Sequence, residues 1–573
     1  MRLKASLLAC AALIWGAAFA QPAVEVQELG AVNPFEVGIQ SGMPAHVWSN
    51  SGAETLRAAL TTLPDGQGVG FHHPLAARLA ARALLAAGRP PRDAQFDLAA
   101  LRADRALATG RAQPVYNLLV RTPRVNESAL LSRLYAETAF ALGHEDEACR
   151  AADALLTGRD EAYWLRARAA CLALSGNIPA AELTAELARH QSDEAAADFF
   201  TVFDAYTLNT PIGDAITPRD GVSLALIHDR NQDQVIVVDE GAPAWLKEAA
   251  LRTGPQIRLP QDPLAALEAA RSMQGAERAA ALGALIHQDV DRQLAADALA
   301  LRLNDAKAEG EFITVARTYG PEVSSLPISD ETLVHGVHFI LAAILAEDLE
   351  TADIWREALE YGPPRPEPEL EPEPLYDENG MPLNPAHLPP SDGPQQLGPD
   401  PYGPSFKPQA EWDAPAASIL VGLDFALAIA RNEVQSGGFE ALHSARLENA
   451  DRARLAQGAG LMALGARTPL DLRAQLARYH AHRLPDQAVK PQDAGADEGG
   501  AQAKLDLATL SALGLLAAHA QAAGEAQIYA AALIEAAPGD PFAIAQAVSI
   551  LSVADLRQEA RRLVLEMVVE DEA

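Results

Sequence analysis

A chain of 573 residues with 45 basic and 77 acidic side chains carries a formal net charge of −32. That balance excludes a nucleic-acid surface, which needs clustered Lys and Arg, and it opposes docking on an anionic leaflet. Aromatic residues make up only 5% of a chain that is 49% hydrophobic, a composition suited to closely packed helices rather than one thick core.

Residues 1–20 read as a secretory signal peptide. Arg2 and Lys4 form a basic start, Ala5 to Ala18 an apolar run, and Ala18-Phe19-Ala20 a small-x-small cleavage site before Gln21. The segment predicts an exported, periplasmic protein cleaved after Ala20. Leu7-Leu8-Ala9-Cys10 loosely matches a lipobox, but only nine residues precede Cys10, which is short for a signal core. The lipoprotein reading is therefore set aside. No later stretch is long and uncharged enough to span a bilayer, since even Ala416 to Ala430 contains Asp424.

Residues 21–73 contain Pro34, Pro44, Pro64 and scattered glycines, and read as an irregular leader or cap with one short helical run. From Pro74 the apolar period becomes helical, opening a helical-repeat domain over 74–361. Gly110, Gly143 and Gly176 recur every 33 residues. Seven residues before each stands Ala103, Ala136 or Ala169, and five after each stands Val115, Ala148 or Ala181. A fixed period of this size indicates stacked structural repeats.

The pattern resembles the tetratricopeptide repeat, a pair of antiparallel helices. Ala136, Gly143 and Ala148 match that family's small helix-crossing positions and its helix-ending glycine. Ala169, Gly176 and Ala181 match them again. Ala517 and Gly524 repeat the spacing near the C-terminus, and Pro541 matches the family's terminal proline. The large aromatic early in the first helix is mostly missing, and Tyr529 replaces the small residue opening the second. The resemblance implies an all-α fold, an α-solenoid of tetratricopeptide-like (TPR-like) hairpins whose concave face recognises peptides or proteins.

Signal cleavage leaves two cysteines. Cys149 lies on a predicted helix Glu147–Leu156 and Cys171 on a predicted helix Ala162–Leu174, at matching heights about a turn near Arg159. They form either a disulfide or two buried thiols.

The middle of the repeat domain reads as irregular helical hairpins. The β-branched stretches Val222–His228 and Gln234–Asp239 leave a β-hairpin open as an alternative. Leu333–Ala346 and Glu350–Glu360 form a further helical pair, with Ala352 and Trp355 facing inward. Residues 362–413 form an acidic, Pro-rich linker, expected to be disordered, in which 15 of the 39 prolines fall between Gly362 and Pro408. A second soft segment is Pro485–Gln502. A C-terminal helical-repeat domain covers 414–573.

No strong catalytic motif is present, and the sequence predicts no catalytic, cofactor-binding or metal-ligating residues. Three weak candidates remain. Gly458-Ala-Gly-Leu-Met-Ala-Leu464 resembles a Gly-Leu-Met-Gln segment of soluble lytic transglycosylases. That resemblance would make Glu448 the general acid, with the wrong spacing and with Asn449 where the family has Ser. His72, His73, His480 and His482 are candidate zinc ligands without metal-site spacing. Asp377-Glu-Asn-Gly380 lacks the ligand pattern of a calcium loop. The sequence therefore predicts a non-catalytic periplasmic scaffold or adaptor that binds protein partners in a cell-envelope assembly. A peptidoglycan-active lytic enzyme, or its helical accessory subunit, is the alternative, and a holdase-like chaperone a third reading.

Overall fold

The computed structural model describes residues 32–573 apart from 156–157, 192–195, 211–217, 231–235, 237, 240, 253–258, 288–290, 365–411, 413, 448–450, 468 and 484–505. Pro34–Ala573 forms one compact unit. The described residues contain no strand and are dominated by helices. The first helices are α1 (Ala53–Thr61), α2 (Pro74–Leu84), α3 (Phe96–Leu107), α4 (Ala112–Arg121), α5 (Ala129–Ala141), α6 (Glu145–Ala154), α7 (Ala162–Leu174), α8 (Ile178–Gln191), α9 (Ala197–Thr207) and α10 (Gly221–Arg230). There follow α11 (Ala244–Arg252), α12 (Pro263–Ser272), α13 (Gly275–His287), α14 (Arg292–Ala308), α15 (Phe312–Tyr319), α16 (Asp330–Leu333), α17 (Gly336–Leu345) and α18 (Leu349–Tyr361). The last are α19 (Ala417–Ala430), α20 (Gly437–Leu447), α21 (Arg452–Ala463), α22 (Leu470–Arg483), α23 (Leu507–His519), α24 (Ala523–Ala536), α25 (Pro541–Val553) and α26 (Arg557–Glu572).

A recurring C-terminal stop makes hairpins of successive helices. Gly110, Gly143 and Gly176 adopt φ of 80°, 76° and 80°, the left-handed conformation that ends a helix at little cost to glycine. At Gly143 the following amide, His144 N, donates to Ala139 O at 2.8 Å, and Asn177 N does the same to Leu172 O after Gly176. Asn209, the next position on the same 33-residue count, has φ 58°, and Thr210 N donates to Ala205 O. Glu347, Asn432, Gly465, Gln521 and Asp555 end α17, α19, α21, α23 and α25 in the same way. The small residues seven before and five after the first glycines let paired helices approach. Ala136, Ala148, Ala169 and Ala181 are completely buried, and Ala103 nearly so.

The structure departs from the sequence reading at Gly524 and resolves two points that the reading left open. Gly524 does not end a helix: the left-handed residue there is Gln521, and Gly524 lies inside the first turn of α24. A side chain at 524 would strike the Trp48 ring at 2.5 Å, so the glycine serves a close approach instead. Gly221–Arg230 is helical, removing a strand over Val222–His228. Val222, Leu224, Ala225, Leu226 and Ile227 are all buried, as in a helix covered on most sides, which apolar content alone does not distinguish from a strand. The described residues before Pro74 have an irregular backbone with α1 as their one α-helix, and they are packed into the fold. Phe35, Val47, Trp48, Leu56 and Leu60 are in the core, beneath the buried Arg102.

Arg102 shows how that N-terminal packing is held. Its Nε donates to Leu84 O at 2.7 Å and its Nη2 to Ala86 O at 2.7 Å, while the guanidinium lies over the Phe35 and Trp48 rings. Burial lowers this group to about 9, so it still carries charge at neutral pH. Backbone carbonyls and aromatic faces replace the water it has lost.

The last helices pack onto the first ones, which an open stack of nearest-neighbour repeats does not require. Gln527 of α24 is completely buried and donates to Leu79 O in α2 at 2.8 Å. Gly524 N donates to Val47 O at 2.9 Å, and Asn50 Nδ2 to Gln521 O at 2.9 Å. From α26, Glu566 meets Arg78 at 2.8 Å, Arg82 at 3.3 Å and Arg317 at 2.7 Å, and Glu559 meets Arg82 at 2.8 Å. Asp424, the charge inside the apolar run of α19, accepts from Arg356 of α18 at 2.8 and 2.9 Å. The helices flanking residues 362–413 therefore pack against each other, and the linker itself falls mostly outside the described residues, as does Pro485–Gln502.

Candidate functional site: an apolar groove between α23 and α25

Two aspartates set the start of the helices that form this groove. Asp506 Oδ1 accepts from Thr509 N at 2.6 Å, capping α23. Asp540 Oδ1 accepts from Phe542 N and Ala543 N at 2.9 and 3.0 Å, capping α25, with Pro541 in its first turn where a missing N–H costs nothing. Helical spacing then aligns Leu507, Ser511 and Leu515 on one wall. Phe542 and Gln546 align on the other, and α24 contributes Leu533. The groove encloses about 480 Å³. Ser511 Oγ donates to Gln546 Oε1 at 3.0 Å, joining the two walls.

The groove's edge keeps large apolar side chains in water. Phe542 is 41% exposed and Leu507 36%. Hydrogen bonds from the Thr509 backbone and side chain hold the exposed Asp506 carboxyl below the usual carboxylate range, leaving a negative charge one residue from Leu507. Chemically the site is an apolar slot with an anionic end. Its two carboxyls are engaged in helix capping, Asp506 with the Thr509 amide and hydroxyl and Asp540 with the Phe542 and Ala543 amides. The sequence reading missed this site. Its signal was the four-residue spacing of Leu507, Ser511 and Leu515 facing Phe542 and Gln546, which only the folded register brings opposite each other.

The weaker sequence candidates fall elsewhere. Gly458 and Gly460 lie in the middle of α21 and are buried, where a Cβ would press on Leu472 and on Val564 and Ile544. The Gly-x-Gly-Leu-Met stretch is thus a helix-crossing surface in this fold. Glu448 and Asn449 lie outside the described residues, as does Asp377–Gly380. His72 and His73 begin α2, and their backbone amides donate to Glu535 at 2.8 and 3.0 Å, with His72 Nδ1 at 2.9 Å from the same carboxyl. Glu535 caps α2 from α24. The side chains of His480 and His482 are outside the described residues. Among the described residues, no group of three or more His, Cys, Asp or Glu side chains is placed to hold a metal ion. No described helix is long and apolar enough to cross a membrane.

Cys149 of α6 and Cys171 of α7 are joined in a disulfide, with Cα atoms 5.7 Å apart. The bridge ties the second helix of one hairpin to the first helix of the next. Ala517 is buried in α23, and Pro541 opens α25.

No protein-family model, no curated protein and no solved structure matches this chain.

Proposed function

We propose that the protein is a non-catalytic scaffold that binds protein partners in the cell envelope, acting in the periplasm after its signal peptide is removed. The observation that carries this reading is the α23–α25 groove, which is lined by Leu507 and Phe542, both of them exposed. Exposed aromatic and aliphatic anchors beside a preformed slot are the usual starting point for peptide recognition. The partner segment that fits has one or two apolar side chains for the slot. Basic residues beside them would face Asp506 and a chain whose net charge is −32.

The test is a paired substitution, Leu507→Glu with Phe542→Glu, in the tagged full-length protein. Recovery of specific envelope partners should drop at least tenfold while the thermal midpoint changes little, because both side chains are on the surface. Undiminished partner recovery would move the binding surface away from this groove. Clearance of cell-wall sacculi by the purified protein would replace the scaffold reading with an enzymatic one.

A further inference from the structure

Glu137 sits on α5, next to the helix-crossing Ala136, with only 3% of its surface exposed. Its Oε2 accepts from Gly221 N at 2.7 Å, at the first residue of α10. The contact demands glycine, since a Cβ at 221 would overlap the Glu137 carbonyl oxygen. Around the carboxyl stand Arg133 from α5, Tyr163 and Arg166 from α7, and Asp220 at the start of α10. Arg133 is committed to the face of the Tyr163 ring at 4.7 Å, and Arg166 to that of Phe199 at 5.7 Å. The α9 carboxylate Asp198 is paired with Arg219 at 2.8 Å. The Tyr163 hydroxyl is buried without a hydrogen-bond partner among the described residues. The seat of α10 therefore rests on a buried carboxyl with a single backbone donor, a neighbouring carboxylate and two arginines occupied with aromatic rings.

We propose that the seat of α10 on α5 and α7 is a proton-controlled joint, tight while the Glu137 carboxyl is neutral and looser once it ionises. Burial, reinforced by Asp220 and only partly offset by Arg133, the Gly221 amide and Arg166, brings Glu137 up to about 7. A carboxyl raised in the closed joint binds its proton more tightly there than when α10 lifts and water reaches it. The stabilisation is thus full below the ordinary glutamate range near pH 4.5. It is lost as pH rises to about 7 and is constant above that. The joint adds a response to acidity that the groove-binding role does not contain.

Hydrogen exchange of the full-length protein tests this, with protection factors for residues 221–230 corrected for the intrinsic pH dependence of exchange. The wild type should lose protection on the order of 100-fold between pH 4.5 and 7.5, while helices such as α14 hold theirs. Glu137→Gln keeps an acceptor for Gly221 N and should make the α10 profile flat. Asp220→Asn, which removes the neighbouring charge, should shrink the loss and move its end to lower pH. A wild-type profile for α10 that is flat, or that matches α14, overturns the proposal. So does an Asp220→Asn profile identical to wild type, a reading that remains available if Glu137→Gln fails to fold.

Discussion

Arg78 Nε donates to Glu566 Oε2 at 2.8 Å across 488 residues of sequence, tying the second helix of the protein to its last. Arg82 and Arg317 converge on the same carboxyl, which is completely buried. Burial alone would raise this group, but the three guanidinium groups overcome it and hold Glu566 at about 2. One carboxylate thus joins α2, α15 and α26.

Removing that carboxylate takes a partner from each of three buried or half-buried arginines, leaving Arg82 with Glu559 and Arg78 with the more distant Glu570. Glu566→Ala should destabilise the fold by about 3–5 kcal/mol, the usual cost of breaking one side of a buried ion pair. Urea unfolding of wild type and variant measures the difference. A change under 1 kcal/mol would mean that water or rearranged side chains already serve these arginines.

The same group fixes a pH dependence. A carboxyl depressed from 4.5 to about 2 in the folded state gives stability that is complete above pH 4.5 and is lost as pH falls toward 2. The loss should reach about 3 kcal/mol in wild type and be absent in Glu566→Gln. Parallel acid-unfolding curves for the two proteins would contradict the assignment.

Cys149 and Cys171 close a loop of 22 residues. Reduction, or Cys149→Ser with Cys171→Ser, should cost about 3 kcal/mol through the freedom returned to the unfolded chain. Alkylation of the denatured protein should label neither cysteine before reduction and both after it. Free thiols at the outset would contradict the bridge.

Two backbone substitutions should act in opposite directions. Gly524→Ala gains roughly 1 kcal/mol of helix propensity, but it drives a methyl into the Trp48 ring and Val47 O. Overpacking of that kind costs about 1–3 kcal/mol, so the net effect should be destabilising. Asp555→Gly relieves a left-handed residue at φ 61° and should raise stability by about 1 kcal/mol. Thermal unfolding of both variants settles the signs.

What the sequence made legible follows physical range. Helix-stopping glycines and crossing alanines act within one hairpin, so Gly110, Gly143 and Gly176 announced the repeats directly. Asn209 and Asn432 perform the same turn, but a pattern search keyed on glycine passes over them, because asparagine tolerates the left-handed region for a different reason. Gly524 misled because glycine has two uses, and there it makes room for Trp48 rather than turning the chain. The Arg78–Glu566 junction and the Glu137–Gly221 seat involve residues far apart in sequence, with no local pattern to mark them. The α23–α25 groove had visible spacing on each helix, yet neither helix alone shows that the two rows face one another.

In the proposed scaffold the α23–α25 groove holds a segment of a partner protein. A photo-crosslinking amino acid placed at Phe542 in intact cells tests it most directly, with the same probe at the exposed Leu183 of α8 as the control. Position 542 should crosslink to a reproducible apolar segment flanked by Lys or Arg, and position 183 should not. Equal products from both positions, or attachment to glycan alone, would contradict it.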